Sequence, residues 1–208
     1  MKSIIFYAIA FAIAVTCRTP ALAEPVDVSA FGIQRIKLGM TSAEVKQIKP
    51  EIQISNQNDP IIKFTACTGA GCGKVNDWGL KIEGTSAPYG SGVFNIRFQQ
   101  SVGNVDLPTF IETLKTSMVQ KYGKPSFRDP TQSYLACWGK DQDCKNLHDK
   151  NLYAMDTFYS LCDKCLIVKL EAVLGEYQLM AILFDPTPYT IAKDKQKQIE
   201  QSKKTIKF

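Results

Sequence analysis

The residues of this chain whose types and spacing could do chemistry are its cysteines and its one histidine, His148. Cys162-Asp-Lys-Cys165 has the C-x-x-C spacing of a redox pair, which works when a helix N-terminus stabilises the first thiolate. The residues that follow, Leu166-Ile-Val-Lys-Leu170, read as a strand. The activating dipole is then missing, and a structural disulfide is the expectation; a thiol-disulfide redox factor using Cys162 and Cys165 is the alternative. Cys137, Cys144, His148, Cys162 and Cys165 have the types of a zinc site, but oxidation in an exported chain competes for the thiols, so no metal is assigned. A Ser-His-Asp or Cys-His hydrolase would have to use His148, which sits in the polar run Lys145 to Lys150 with no nucleophile elbow nearby. Gly69-Ala-Gly71-Cys-Gly73 lacks the helix and lysine of a phosphate loop and reads as a hairpin turn. No spacing singles out a pair of carboxylates. The expectation is a chain without assigned catalytic residues, metal or cofactor, whose enzymatic status is uncertain but most simply read as none.

The compartment follows from the first 23 residues. Lys2, the apolar run Ile4 to Val15 and the small-x-small Ala21-Leu-Ala23 form an export signal, which places the mature start at Glu24. Twelve apolar residues cover only about 18 Å of a hydrocarbon core roughly 30 Å thick, so a membrane anchor is the weaker reading. No later stretch is long and apolar enough to span. Of seven cysteines, Cys17 leaves with the signal, and an even set remains: Cys67, Cys72, Cys137, Cys144, Cys162 and Cys165. Such a set in a periplasmic or secreted protein predicts three disulfides. Pairing in sequence order (Cys67 with Cys72, Cys137 with Cys144, Cys162 with Cys165) is favoured; a nested pairing of Cys137 with Cys165 and Cys144 with Cys162 is left open.

Charge separates the body from its end. Six lysines between Lys193 and Lys207 face only Asp194 and Glu200, while residues 24–192 carry 17 cations against 18 anions. A folded basic face for nucleic acid is not indicated. The sparse apolar residues of 187–208 suggest a frayed helix or disorder.

The elements that must hold the cysteines come next. Thr41 caps a helix with Glu44 three residues on, after a turn at Gly39, and Pro50 ends it. Strands follow at Ile61 to Ala66, from Trp78 to Glu83 and from Phe94 to Gln99, by alternation. Leu107, Phe110, Ile111, Leu114 and Met118 share one helical stripe, opened by Asp106 and closed by Gly123 and Pro125. Strands return at Tyr134 to Trp138, Leu166 to Val173 and Tyr177 to Phe184, with a turn at Gly175-Glu176. Helix then strands thus occurs twice, and Ala66-Cys67-x-Gly69 recurs as Ala136-Cys137-x-Gly139. The fold class expected is α+β: two similar disulfide-bonded units, each a helix on an antiparallel meander. The first spans residues 24–104 and the second 105–186 with an insertion at 139–164, and a lysine-rich tail closes the chain.

Ile36-x-Leu-Gly-Met-Thr41-x-x-Glu44-Val45, together with Lys121-Tyr-Gly-Lys-Pro125, resembles the helix-opening and helix-exit motifs of exported bacterial domains of the beta-lactamase-inhibitor-protein-like kind and of the related outer-membrane assembly lipoproteins. The resemblance implies a tandem scaffold used for protein binding. It transfers a capping box and a turn, and no binding or catalytic residue.

Trp138, Tyr153, Phe158 and Tyr159 lie in or beside the insertion that the repeat does not need. Aromatics so placed give contact area at low entropic cost; a satellite core is the competing reading. The function expected is a non-catalytic binding module that meets a protein or cell-envelope partner through a sheet face and this aromatic region. An envelope-tethered structural protein is a further alternative.

Overall fold

The computed structural model describes residues 27–55, 58–66, 79–103, 105–129, 134–146, 162–173 and 175–205. A 3-10 turn, Val28–Ala30, capped by Asp27, leads into a hairpin of β1 (Gly32–Ile33) and β2 (Ile36–Lys37). Gln34 and Arg35, which join them, take φ of 49° and 72°. Positive φ at both central residues matches the twist of the strands, but Asn and Gly usually supply it. That substitution of residue types hides the hairpin from sequence inspection.

Helix α1 (Ser42–Ile48) opens on the expected capping box: the Glu44 amide donates to Thr41 Oγ1 at 3.3 Å, and the Thr41 amide donates to Glu44 Oε2 at 2.7 Å. The segment before it is held like an extra strand. Gly39 donates to the Val93 carbonyl at 2.7 Å, and Val93 donates to the Met40 carbonyl at 2.8 Å. Two glycines make that approach possible. Gly39 takes φ of 80°, and a Cβ on Gly92 would lie 3.1 Å from the Gly39 oxygen.

The remaining elements are β3 (Ile52–Ile54), β4 (Ile61–Ala66), β5 (Leu80–Thr85), β6 (Gly92–Ser101), α2 (Leu107–Tyr122), β7 (Phe127–Asp129), β8 (Tyr134–Trp138), α3 (Asp141–Asn146), β9 (Cys165–Val173), β10 (Glu176–Phe184) and α4 (Pro186–Thr205). Asp106 caps α2, accepting from the Thr109 amide at 3.2 Å, as its position before the apolar stripe predicts. Among the described residues, α1 and α2 are each followed by four strands where three are expected. The added ones, β3 and β7, have three residues each and are too short to show a period.

Beside the β1–β2 hairpin, strands β3 to β10 form one antiparallel sheet of eight in the order β3-β4-β5-β6-β10-β9-β8-β7, so the strands that follow α1 and those that follow α2 share a single sheet. The fold is α+β, with helices packed on an antiparallel sheet. On one face, Ile62, Phe64, Leu80, Ile82, Val93, Ile96, Trp138, Leu166, Val168 and Leu170 pack with Val45 of α1 and Leu114 and Tyr122 of α2. A smaller cluster on the other face joins Phe94, Leu135, Cys137, Ile167, Met180, Ile182 and Phe184 with Tyr189 of α4.

Where a frayed helix or disorder is expected, residues 186–205 form a helix of 20 residues. Pro186 occupies the first helical position, where its missing N–H is harmless. The helix rests on β5 and β6 through the fully buried Ala192 and through Tyr189, whose ring lies 5.8 Å from that of Phe94. Two apolar contacts with a sheet that lies far away in sequence are enough to order the first turns.

Candidate functional site

Among the described residues two disulfides are formed, Cys137–Cys144 and Cys162–Cys165, both in the favoured sequence-order pairing. Cys67 and Cys72 lie outside the described residues. Cys144 sits on α3 and ties that short helix back onto β8. Cys162 and Cys165 are 4% and 0% exposed, and Cys165 is the first residue of β9. No helix begins at this pair to stabilise a thiolate, and the buried sulfurs are shielded from an attacking thiol.

The turn between these cysteines carries charge into an open cleft of about 320 Å³, lined by Asp27, Val28, Ser29, Lys140, Asp163, Lys164 and Thr187. Lys140 pairs with Asp163, whose amide donates to Asp143 Oδ2 at 3.0 Å. Lys164 pairs with Asp185 at 3.2 Å and donates to Ser29 Oγ at the same distance. The hydrogen bond from Lys140, then its charge, holds the Asp163 carboxyl below its usual range, and Asp163 raises Lys140 in return. Asp27 is held low mainly by the Ser29 amide. The charged groups pair with one another, and the Ser29 and Thr187 hydroxyls stand in the cleft with no imidazole among its lining residues.

Trp138 is a correction to the sequence reading. The side chain is 0% exposed, its Nε1–H donates to the Gly123 carbonyl at 2.9 Å, and its ring meets Tyr122 edge-on at 5.9 Å. It belongs to the core beneath α2 and presents nothing to a partner. Tyr153, Phe158 and Tyr159 fall outside the described residues, as do His148 and Trp78.

What the sequence reading did not assemble is the sheet face opposite α1 and α2. The register sets Lys63 beside Glu83, Glu83 beside Asn95, and Lys81 directly beside Arg97. Gln99 continues this row of polar positions along β6, and Gln178, Lys169 and Glu171 extend it onto β10 and β9. Glu83, Asn95 and Gln178 are buried, Arg97, Gln99, Lys169 and Glu171 are half-buried, and Lys63 and Lys81 are exposed. Asn95 Nδ2 donates to Glu83 Oε2 at 2.8 Å, and Gln99 Nε2 donates to Gln178 Oε1 at 3.3 Å. Asn95 Oδ1 and Glu171 Oε1 are buried atoms without a partner. Lys169 and Glu171 form an ion pair, yet burial still pulls the lysine down and pushes the glutamate up. Desolvation therefore outweighs pairing at this spot. The alternation of Lys81 and Glu83, and of Asn95, Arg97 and Gln99, marks these residues as off the main core. Their assembly into one band depends on strand register, which no local pattern reveals.

Among the described residues no cluster of His, Cys, Asp or Glu is disposed to hold a metal ion, and no helix is long and apolar enough to cross a membrane. Compared with protein families, with curated proteins and with solved structures, the chain matches none.

Proposed function

We propose that this chain is an exported, non-catalytic binding module that meets a protein or cell-envelope partner through the sheet face opposite α1 and α2. The observation that carries the reading is the band of Arg97, Gln99, Gln178, Lys169 and Glu171 across β6, β10 and β9. Lys169 and Glu171 pair but stay disfavoured by desolvation, and Glu171 Oε1 has no partner; polar groups held so at mid-sheet cost stability, and contacts to a partner would offset that cost. Export rests on the leader pattern, and the two disulfides accord with an oxidising compartment. Tyr153, Phe158 and Tyr159 are further proposed contacts, whereas Trp138 lies in the core.

A duplicated ancestry and the resemblance to beta-lactamase-inhibitor-protein-like domains are proposed together. Their support is the strand order: α1 introduces β3-β4-β5-β6, α2 introduces β7-β8-β9-β10, and the two meanders run inward to meet as β6 against β10. An internal two-fold relation is what a tandem repeat closing into one sheet produces.

The test is capture from an envelope extract on the immobilised mature protein. Wild type is compared with Gln99→Ala and with the Tyr153→Ala, Tyr159→Ala double variant. A species retained by wild type and lost from the variants, with their unfolding midpoints unchanged, supports the reading. Retention of the same species by every variant overturns it.

A further inference from the structure

The two long helices are attached to the sheet very differently. α2 brings Leu107, Phe110, Ile111, Leu114, Met118 and Tyr122 to the main core, whereas α4 brings Tyr189 to the cluster on its own face and buries Ala192. Ile191 is 47% exposed, and Ile199 is half-buried outside both clusters. Beyond its first turns α4 is supported from within: Gln196 Nε2 donates to Glu200 Oε1 at 3.0 Å, Lys197 pairs with Asp194 at 3.7 Å, and the helix formers Lys, Gln and Glu fill most positions after Ala192. What it covers is polar. Glu83 and Asn95, on the strands that α4 rests on, are 8% and 5% exposed. Asn95 Nδ2 donates to Glu83 Oε2 at 2.8 Å, but Asn95 Oδ1 is buried without a donor. That unmet acceptor costs stability while the helix is down, and water meets it when the helix lifts.

We propose that α4 is a displaceable strap: it fills, in cis, a groove on β5 and β6 that takes an amphipathic helix, and a partner's helix binds there by replacing it. The groove is a made feature of the sheet. The register of β5 with β6 shifts at Glu83 and Gly84, so that Gly84 pairs with Val93 and Glu83 with Asn95, and Phe94 is the extra residue between them. A bulge of this kind re-aims a side chain, and here it turns Phe94 away from the main core and onto Tyr189, ring to ring at 5.8 Å. The pivot is fixed on the sheet: Asp185 donates its amide to the Phe94 carbonyl at 2.8 Å, accepts from the Thr187 amide at 3.0 Å and pairs with Lys164 at 3.2 Å. The helix can therefore lift about Pro186 while β10 keeps its place. The contacts that α4 makes define its competitor, a helix with an aromatic residue over Phe94 and a small residue one turn later, where Ala192 is fully buried. A partner helix that also carries a donor for Asn95 Oδ1 makes the bond that α4 leaves unmade, which is how it displaces a tethered segment.

The inference rests on the sheet-face reading above and adds the kind of partner and what guards its place. The probe is a synthetic peptide of residues 186–205, titrated into the isotope-labelled mature protein and followed at the Phe94 and Asn95 amides. Wild type is compared with Ala192→Glu, which puts a charge at the buried contact and lifts the helix. The peptide is expected to bind Ala192→Glu and to bind wild type about tenfold or more weakly, because the groove is vacant only in the open fraction; a peptide carrying the same Ala192→Glu change should not bind either. Titration to about 5 mM reaches the effective concentration that a short linker gives α4 in cis. The near-ultraviolet circular dichroism of Trp138, buried on the opposite face, should be retained in the variant. In wild type, hydrogen exchange should be at least about tenfold faster at the α4 amides than at those of β6 and β10. Equal peptide binding by the two proteins, no binding by Ala192→Glu, loss of the Trp138 signal on lifting α4, or equal protection of α4 and β6 each overturns the proposal. If the peptide fails but the envelope species is still lost with Gln99→Ala, the sheet face remains and the helix groove falls. If the peptide binds as expected while Gln99→Ala retains that species, the groove stands and the sheet-face reading falls.

Discussion

Replacing Trp138 by phenylalanine separates a core role from a contact role. The indole is fully buried, with one hydrogen bond to Gly123 at the end of α2 and one edge contact with Tyr122. Phenylalanine keeps the ring contact but leaves the Gly123 carbonyl without that donor, at about 1 kcal/mol. The shortfall in apolar area, roughly 40 Å² at about 25 cal/mol per Å², removes about another 1 kcal/mol. Incomplete collapse around the missing pyrrole adds on the order of 0.5–1 kcal/mol. The sum is about 2.5–3 kcal/mol, or a fall in melting temperature of roughly 5–10 °C for a chain of this size. Urea unfolding followed by far-UV circular dichroism, which does not depend on indole fluorescence, gives the value. Captured partners should be the same as for wild type wherever the variant is folded. An unchanged midpoint together with a lost partner would refute the placement of Trp138 in the core.

Three further outcomes follow from local features. Gln34→Asn combined with Arg35→Gly gives the β1–β2 turn the residues its positive φ values favour, and should stabilise by about 1–2 kcal/mol in the same urea assay; a loss of stability would contradict the turn geometry. Alanine at both Cys162 and Cys165 opens a loop of sequence separation 3, which should lower stability by roughly 2 kcal/mol on loop entropy alone; reduction of a disulfide substrate by wild type but not by the variant would instead establish redox chemistry. Asp163 is held below its ordinary 3.8 by Lys140, and Lys140 above its ordinary 10.5 by Asp163. The depressed acid stabilises above its unfolded value and stops doing so as pH falls through its folded one; the raised base stabilises below its unfolded value and stops as pH rises through its folded one. The melting-temperature gap between wild type and Lys140→Ala should therefore be flat between about pH 4.5 and 10 and close on either side, so a gap that widens in acid would contradict the pairing.

The parts of the fold that were legible in the sequence are those with local causes. Thr41 and Glu44, Asp106 and Gly123 cap their helices because every partner lies within four residues. Strands β4, β6, β9 and β10 fall close to their expected ranges because alternation and turn residues suffice. Trp138 was misread because β8 has no alternation: Leu135 through Trp138 are all buried, two per face, so proximity to the insertion became the only guide. The sequence leaves helix α4 undecided between a frayed helix and disorder because its anchors, Ala192 and Tyr189, are stabilised by a sheet contact that sequence does not display. The Lys81–Arg97 pair was invisible for the same reason, since each residue looks like an ordinary solvent-side cation until the ladder sets them side by side.

The sheet is longest at its centre, where β6, β9 and β10 have ten, nine and nine residues, and shortest at its borders, where β3 and β7 have three. A border that short offers an incoming strand few free backbone groups, and the residues it leaves uncovered are partly met by Ser55, which donates its amide to the Lys63 carbonyl and accepts from the Lys63 amide through Oγ. Fibril growth and edge-to-edge stacking both require a long, flat template. The tapered outline therefore acts as a brake on polymerisation, and should let this chain be held at high concentration without the sheet extending itself from molecule to molecule.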